Sequence, residues 1–224
     1  AVLLENAYAT LDIGIADPVR LRVSGGAQPY RVGSGMLIAD GAADGFERGA
    51  LIFGPRQAFE ATALAKLGFG KVSIEGFHLN ARELPSSDSR TLINGLRADY
   101  AIAPDRFIGL SYGQVPRSEA PYVQAAPGGL GPATIIENGR EGLGFWNAYL
   151  KLSPVKALPG LWIAADYARQ RNGRINMRAT GGRIEIGHAF SKTPWMPTLS
   201  YSYQRFSGDD PDTPELERFD PLFY

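Results

Sequence analysis

The side chains with the most capacity for chemistry in this chain are basic ones set at alternate positions among apolar residues. Arg20, Arg22, Lys66, Lys71, Arg97, Lys151 and Arg183 all take the parity opposite to that of their apolar neighbours. A guanidinium grips a carboxylate through two parallel hydrogen bonds, and surrounding water keeps the contact exchangeable. Arrayed along a wet surface, Arg20, Arg22, Lys66, Arg97, Lys151 and Arg183 would make a path for carboxylated ligands such as acidic sugars. The carboxylates Asp12, Glu60, Glu75, Asp99, Asp166 and Glu185 take the same parity, so the signs nearly cancel. The competing reading is that opposite charges pair between neighbouring strands and hold a wall together. Sequence alone leaves both readings open.

Covalent or acid–base catalysis has little to work with. His78 and His188 are the histidines of the chain, each in a strand-like segment and neither beside a Ser and Asp pattern, so no catalytic residue is assigned. Gly68-Phe69-Gly70-Lys71 lacks the spacing of a phosphate loop and reads as a hairpin turn. Cysteine is absent, which removes disulfides and thiolate-bound metals. The acidic run Asp209, Asp210, Asp212, Glu215 and Glu217 has oxygen donors for calcium but not the spacing of a calcium loop, and reads as a solvated loop. No metal or cofactor is expected. With 23 basic and 23 acidic residues, the overall field does not favour a nucleic-acid partner.

The segments that carry these residues have the period of strands. Thr198 to Phe206 puts Leu199, Tyr201 and Tyr203 on one face and Thr198, Ser200, Ser202 and Gln204 on the other. Similar alternation predicts strands over Ala1 to Ile15, Val19 to Val23, Phe59 to Leu67, Lys71 to Arg82, Thr91 to Ile102, Arg106 to Val115, Glu141 to Leu152, Leu161 to Arg171 and the stretch between the connections 172–175 and 191–197. In the fourth of these, Phe77 and Leu79 fall on the polar parity, which predicts a bulge near Gly76. Ser24 to Gln57 and Pro116 to Arg140 lose the alternation and read as long loops, folded into a lumen or lying outside.

Short and long connections alternate along the chain. The connections at 16–18, 68–70, 103–105, 153–160 and 191–197 are compact, whereas those at 24–57, 83–90, 116–140 and 172–175 are mostly long, the last being the short exception. A polar face, an aromatic-rich apolar face and this alternation fit an antiparallel transmembrane β-barrel with lipid outside and water inside. No run of about 18 apolar residues exists for a membrane helix, and barrel strands do not need one. Outward aromatics such as Trp146, Tyr112 and Tyr203 read as a membrane-interface girdle. Both ends of the ten strands fall on the long-loop side, which predicts a single barrel domain that is part of a larger barrel. The alternatives from sequence are a less selective porin, a barrel-anchored enzyme or adhesin, and a soluble β-sandwich binding module.

At its C-terminal end, Ser207-Gly208-Asp209-Asp210-Pro211 followed by Phe219-Asp220-Pro221-Leu222-Phe223-Tyr224 resembles bacterial alginate-export family outer-membrane proteins. The preceding strand, Leu199-Ser200-Tyr201-Ser202-Tyr203, fits the same place, and Gly26-Ala27-Gln28-Pro29-Tyr30-Arg31-Val32-Gly33 is a weaker likeness in which Ala27 stands where the family tends to have arginine. The resemblance implies a barrel of about eighteen strands. It also implies an outer-membrane location and passage of an anionic polysaccharide through an arginine-lined lumen. The partners it implies are outer-membrane lipid, the carbohydrate itself and periplasmic export-complex proteins.

Overall fold

The computed structural model describes residues 6–39, 59–83, 88–126, 128, 130–155, 157–158, 160–191, 193–210 and 212–222. Its elements are all strands: β1 (Ala7–Ala16), β2 (Val19–Ala27), β3 (Phe59–Phe69), β4 (Val72–Ala81), β5 (Leu92–Ala103), β6 (Arg106–Arg117), β7 (Tyr122–Gln124), β8 (Thr134–Ile136), β9 (Gly144–Leu152), β10 (Leu161–Asn172), β11 (Met177–Ala189) and β12 (Thr198–Phe206). Ten of them form one antiparallel sheet in the order β1-β2-β3-β4-β5-β6-β9-β10-β11-β12. Every predicted strand is present. Among the described residues the sheet is not closed, and β1 and β12 are its edges.

Five details differ from the sequence expectation, the first being that β2 continues through residues 24–27, predicted to open the loop 24–57. The stretch 116–140 contains a small hairpin, β7 with β8, where only a loop is predicted. No bulge occurs at Gly76, since β4 keeps continuous register with both β3 and β5 there. Phe77 and Leu79 do stand on the polar parity, and they are buried because another part of the chain covers them. A register shift between Phe59 and Ala61 turns Phe59 inward, fully buried, and leaves Glu60 on the opposite side accepting from Asn80 Nδ2 at 2.8 Å. Lys71 lies in the tight turn between β3 and β4, outside both strands.

The covering segments come from the two ends of the sheet. Residues 28–39, which follow β2, bring Tyr30, Val32, Met36, Leu37 and Ile38 into the core, and the chain after β12 adds Leu216, Phe219 and Leu222. They meet Phe59, Phe77, Leu79, Ile93, Val115, Leu143 and Phe145 on one face of the sheet, here called the inner face. This burial removes apolar side chains from water only at the end of the sheet that carries the long connections. The predicted loop 24–57 is described only as far as residue 39.

Close packing on the inner face depends on glycine. Aromatic rings lie over the glycine directly across the ladder: Phe77 over Gly95, Tyr149 over Gly109, Phe145 over Gly113 and Trp162 over Gly187. A Cβ at Gly109 would come within 2.2 Å of the Tyr149 ring. Such pairs cover the bare backbone that glycine exposes and fix which residues face each other. Gly109→Ala is expected to push Tyr149 aside and destabilise the sheet by about 1–3 kcal/mol. Urea unfolding measures this, and Gly68→Ala, where the nearest atom to a new Cβ is 3.9 Å away, is the control expected to stay near wild type.

Candidate functional site

The register places the predicted basic residues together. Across the sheet, Asp12 faces Arg22, Arg22 faces Lys66, Lys66 faces Glu75 and Glu75 faces Arg97. The next row toward the short turns runs through Arg20, Ser73, Asp99, Gly109, Tyr149, Asp166 and Arg183. Lys151 and Glu185 lie one row further on, each facing Ala164 of β10. All six candidate residues, Arg20, Arg22, Lys66, Arg97, Lys151 and Arg183, therefore share the inner face.

Most of them are engaged by carboxylates. Arg22 meets Asp12 through two atoms, at 2.7 and 3.2 Å, with both side chains well exposed. Arg97 Nε stands 2.9 Å from Glu75 Oε1 and 3.5 Å from Asp99 Oδ2, and its Nη1 donates to the Arg31 carbonyl at 2.9 Å. Arg183 Nη2 donates to Glu185 Oε2 at 2.7 Å, and Lys151 Nζ to Asp105 Oδ2 at 2.7 Å. The Lys151 hydrogen bond holds the Asp105 carboxyl, in its turn, below the usual carboxylate range. Arg20 and Lys66 make no ion pair among the described residues.

The segment 28–39 is tied into this network. Ser34 N–H donates to Asp166 Oδ2 at 3.1 Å, although 132 positions separate the two residues. Gly33 makes that approach possible, with φ of 58° and Asp166 and Tyr149 so close that any Cβ would overlap them. Tyr149 OH donates to Asp99 Oδ1 at 2.6 Å, and the Arg97 guanidinium stands 5.4 Å from the centre of the Tyr30 ring. At the other end of the face, Arg140 pairs with Asp220 at 2.7 Å while Gln170 exchanges hydrogen bonds with the Asp220 backbone. The Phe219-Asp220-Pro221 part of the C-terminal motif is thereby strapped across β10, and Phe223 and Tyr224 lie outside the described residues.

Open cavities flank the network, among them two that bear on the predicted residues. One, of about 410 Å³, is lined by Arg31, Gly33, Ser34, Lys151, Trp162 and Arg183 among others, with Lys151 Nζ 5.3 Å from the centre of the Trp162 ring. A flat aromatic beside basic groups is a surface on which a sugar ring stacks while its acidic group is held. The second, of about 540 Å³, is lined by Asp12, Arg20, Arg22 and Lys66. Sequence reasoning misses Arg31, whose stretch has no period to place it. It misses Trp162 as well, although a tryptophan on the polar parity is a signal that could have found it.

Elsewhere the polar candidates serve local structure. His78 Nδ1 lies 2.5 Å from Asn94 Oδ1, and the His188 ring packs edge-on against Phe190. Asp209 accepts from the Glu217 N–H at 2.9 Å and Glu215 pairs with Arg178 at 3.1 Å. Among the described residues, no group of three or more acidic, histidine or cysteine side chains is placed to hold a metal.

Truncating one member of the buried ladder leaves its partners charged and unpaired. Arg97→Met is expected to cost about 3 kcal/mol through Glu75 and Asp99. The double change Arg97→Met with Glu75→Met should recover part of that loss, and a double-mutant cycle by urea unfolding measures the difference.

A scan against protein-family models finds no match to this chain, and neither does a search of the curated proteins.

Proposed function

We propose that this sheet is part of the wall of an outer-membrane β-barrel channel. The observation that carries this reading is the outer face, where large apolar side chains stand exposed across the whole sheet: Leu11, Val23, Ile74, Leu96, Leu110, Trp146, Tyr167, Ile184 and Tyr201. At the uncovered end of the inner face polar groups crowd instead, the reverse of a sheet that rests that part of its apolar side on a core. Water penalises such a belt and lipid does not. The belt also has a border. Toward the long connections it gives way to His78, Asn94, Gln114, Arg169, Thr180 and Arg205, and Tyr112, Trp146, Tyr167 and Tyr203 stand at the edge. Tyr112 and Trp146 pack together there, with ring centres 4.7 Å apart. Aromatics at an apolar-to-polar boundary suit the membrane interface.

Within that frame, the inner face is the channel lining and an anionic carbohydrate is the passenger, as in the alginate-export family that the sequence resembles. Support comes from Trp162 beside Lys151 and Arg183, and from Arg20 and Lys66, which make no ion pair among the described residues. The membrane part is tested by Leu110→Arg. In a bilayer it should lower unfolding stability by about 2–4 kcal/mol. On a water-facing surface the change would stay within about 0.5 kcal/mol, which would count against the reading.

Conductance tests the passage. In planar bilayers, Arg20→Gln with Lys66→Gln is expected to raise the oligouronate concentration for half-block by roughly tenfold and to reduce anion preference, because fixed unpaired charges set the local ion concentration. Arg183→Gln with Glu185→Gln removes a matched pair at constant net charge and should leave anion preference near wild type. Loss of block in that second variant would move the contact to the Trp162 groove. A reconstituted protein without conductance would end the channel reading.

A further inference from the structure

The outer face carries a second feature above the apolar belt, confined to β10, β11 and β12. Arg169 and Arg171 of β10, Arg178 of β11 and Arg205 of β12 all project there and all are exposed. Arg171 is directly opposite Arg178 in the ladder, and like charges at directly opposed positions repel. Glu215 answers Arg178 at 3.1 Å. Arg169, Arg171 and Arg205 have no ion-pair partner among the described residues. The same level of the sheet over β3 to β5 carries Glu60, Asn80, His78 and Asn94, so the basic character is local.

Between these arginines the surface is notched. Tyr167, Gly182 and Arg205 stand in one row across β10, β11 and β12, and Gly182 leaves the middle of that row empty. A Cβ at Gly182 would meet nothing nearer than 3.7 Å, so packing does not require glycine there. The resulting cavity, of about 280 Å³, is lined by Tyr167, Thr180, Gly182, Arg205 and Ser207. Below it lie the exposed apolar side chains Ile184 and Tyr203, and the exposed Trp146 stands beside it, directly opposite Arg169.

We infer that this patch is a binding site for an anionic, phosphate-bearing membrane lipid. The guanidiniums of Arg169, Arg171 and Arg205 would hold the headgroup phosphate, and its acyl chains would lie on the belt beside Trp146 and Tyr203. Charge and level agree on this occupant. A soluble acidic ligand would use the arginines but has no need of an apolar surface directly beneath them. Guanidinium matches phosphate oxygens through paired hydrogen bonds, and basic groups at the headgroup level attract anionic lipid. The inference rests on the membrane reading above.

Lipid-borne quenchers test it. Trp162→Phe with Trp195→Phe leaves Trp146 as the one tryptophan, next to the patch. The protein is reconstituted in phosphatidylcholine vesicles with a small fraction of lipid brominated on the acyl chain, either phosphatidylglycerol or phosphatidylcholine. Brominated phosphatidylglycerol is expected to quench Trp146 roughly fivefold more steeply per mole. In the Arg169→Gln, Arg171→Gln, Arg205→Gln variant the two lipids should quench alike, and unchanged quenching by the phosphatidylcholine form shows that the variant is inserted. Equal quenching without the arginine changes overturns the lipid site, as does an excess that survives in the variant. Loss of the excess on adding millimolar glycerol phosphate overturns it in favour of a soluble phosphate. Absence of quenching by either lipid removes the membrane reading itself and this inference with it.

Discussion

Strand register is the constraint on which everything else in this protein depends. Side chains alternate faces, so a slip of one residue between β2 and β3 would carry Lys66 to the apolar side and Leu67 to the charged one. Between β4 and β5 and between β6 and β9, pairs of ring over glycine resist a slip of this kind. Phe77 sits over Gly95, Phe145 over Gly113 and Tyr149 over Gly109, and moved by one position each ring would meet a side chain. The same glycines that weaken a strand in isolation therefore make its pairing unique. Ion pairs alone would not suffice, because those at the exposed edge, such as Arg22 with Asp12, contribute little in water.

With register fixed, the inner face divides into two zones for one physical reason. Residues 28–39 and 216–222 cover the end that bears the long connections, so Phe77, Leu79, Ile93 and Val115 can be apolar there without meeting water. The uncovered end is polar, and its buried charges have partners. Tyr149 and Asp166 stand at the junction, one donating to Asp99 and the other accepting from Ser34. The covering segment is thus held by the same network that lines the open end. Its attachment and the lining cannot vary independently.

The strands were legible because period two is a strong signal when one face is apolar along its whole length. Ten strands and the common face of Arg20, Arg22, Lys66, Arg97, Lys151 and Arg183 follow from that signal alone. It misled where the inner face stops being wet. Phe77 and Leu79 looked like a switch of faces, because nothing in β4 tells of a cover supplied by residues 28–39. Glu60 and Phe59 exchanged sides at an irregularity that leaves no mark on their own parity. Lys71 reads with the strand in sequence, although it lies in the turn and the alternation of β4 begins one residue later. Pairing was legible only as a possibility, since sequence gives the parity of Glu75 and Arg97 but not their row. The groove at Trp162 required Arg31, and a loop residue has no period to betray it.

On the channel reading, the pairing of charges alters what the lining is able to do. A ladder of free guanidiniums would hold a polyanion at every rung, and conduction requires that binding be weak enough to leave. Arg97 and Arg183 have most of their field cancelled by Glu75, Asp99 and Glu185. What remains for an anion to feel is local: Arg20 and Lys66 beside the cavity near β1, and the groove at Trp162 on the far side of the sheet. Selectivity then resides in a few unmatched charges set in a wall that is nearly neutral and stiff. The near cancellation of charge, which at the level of sequence leaves the anion path and the pairing open alike, is on the channel reading the condition that lets an anion move along the wall.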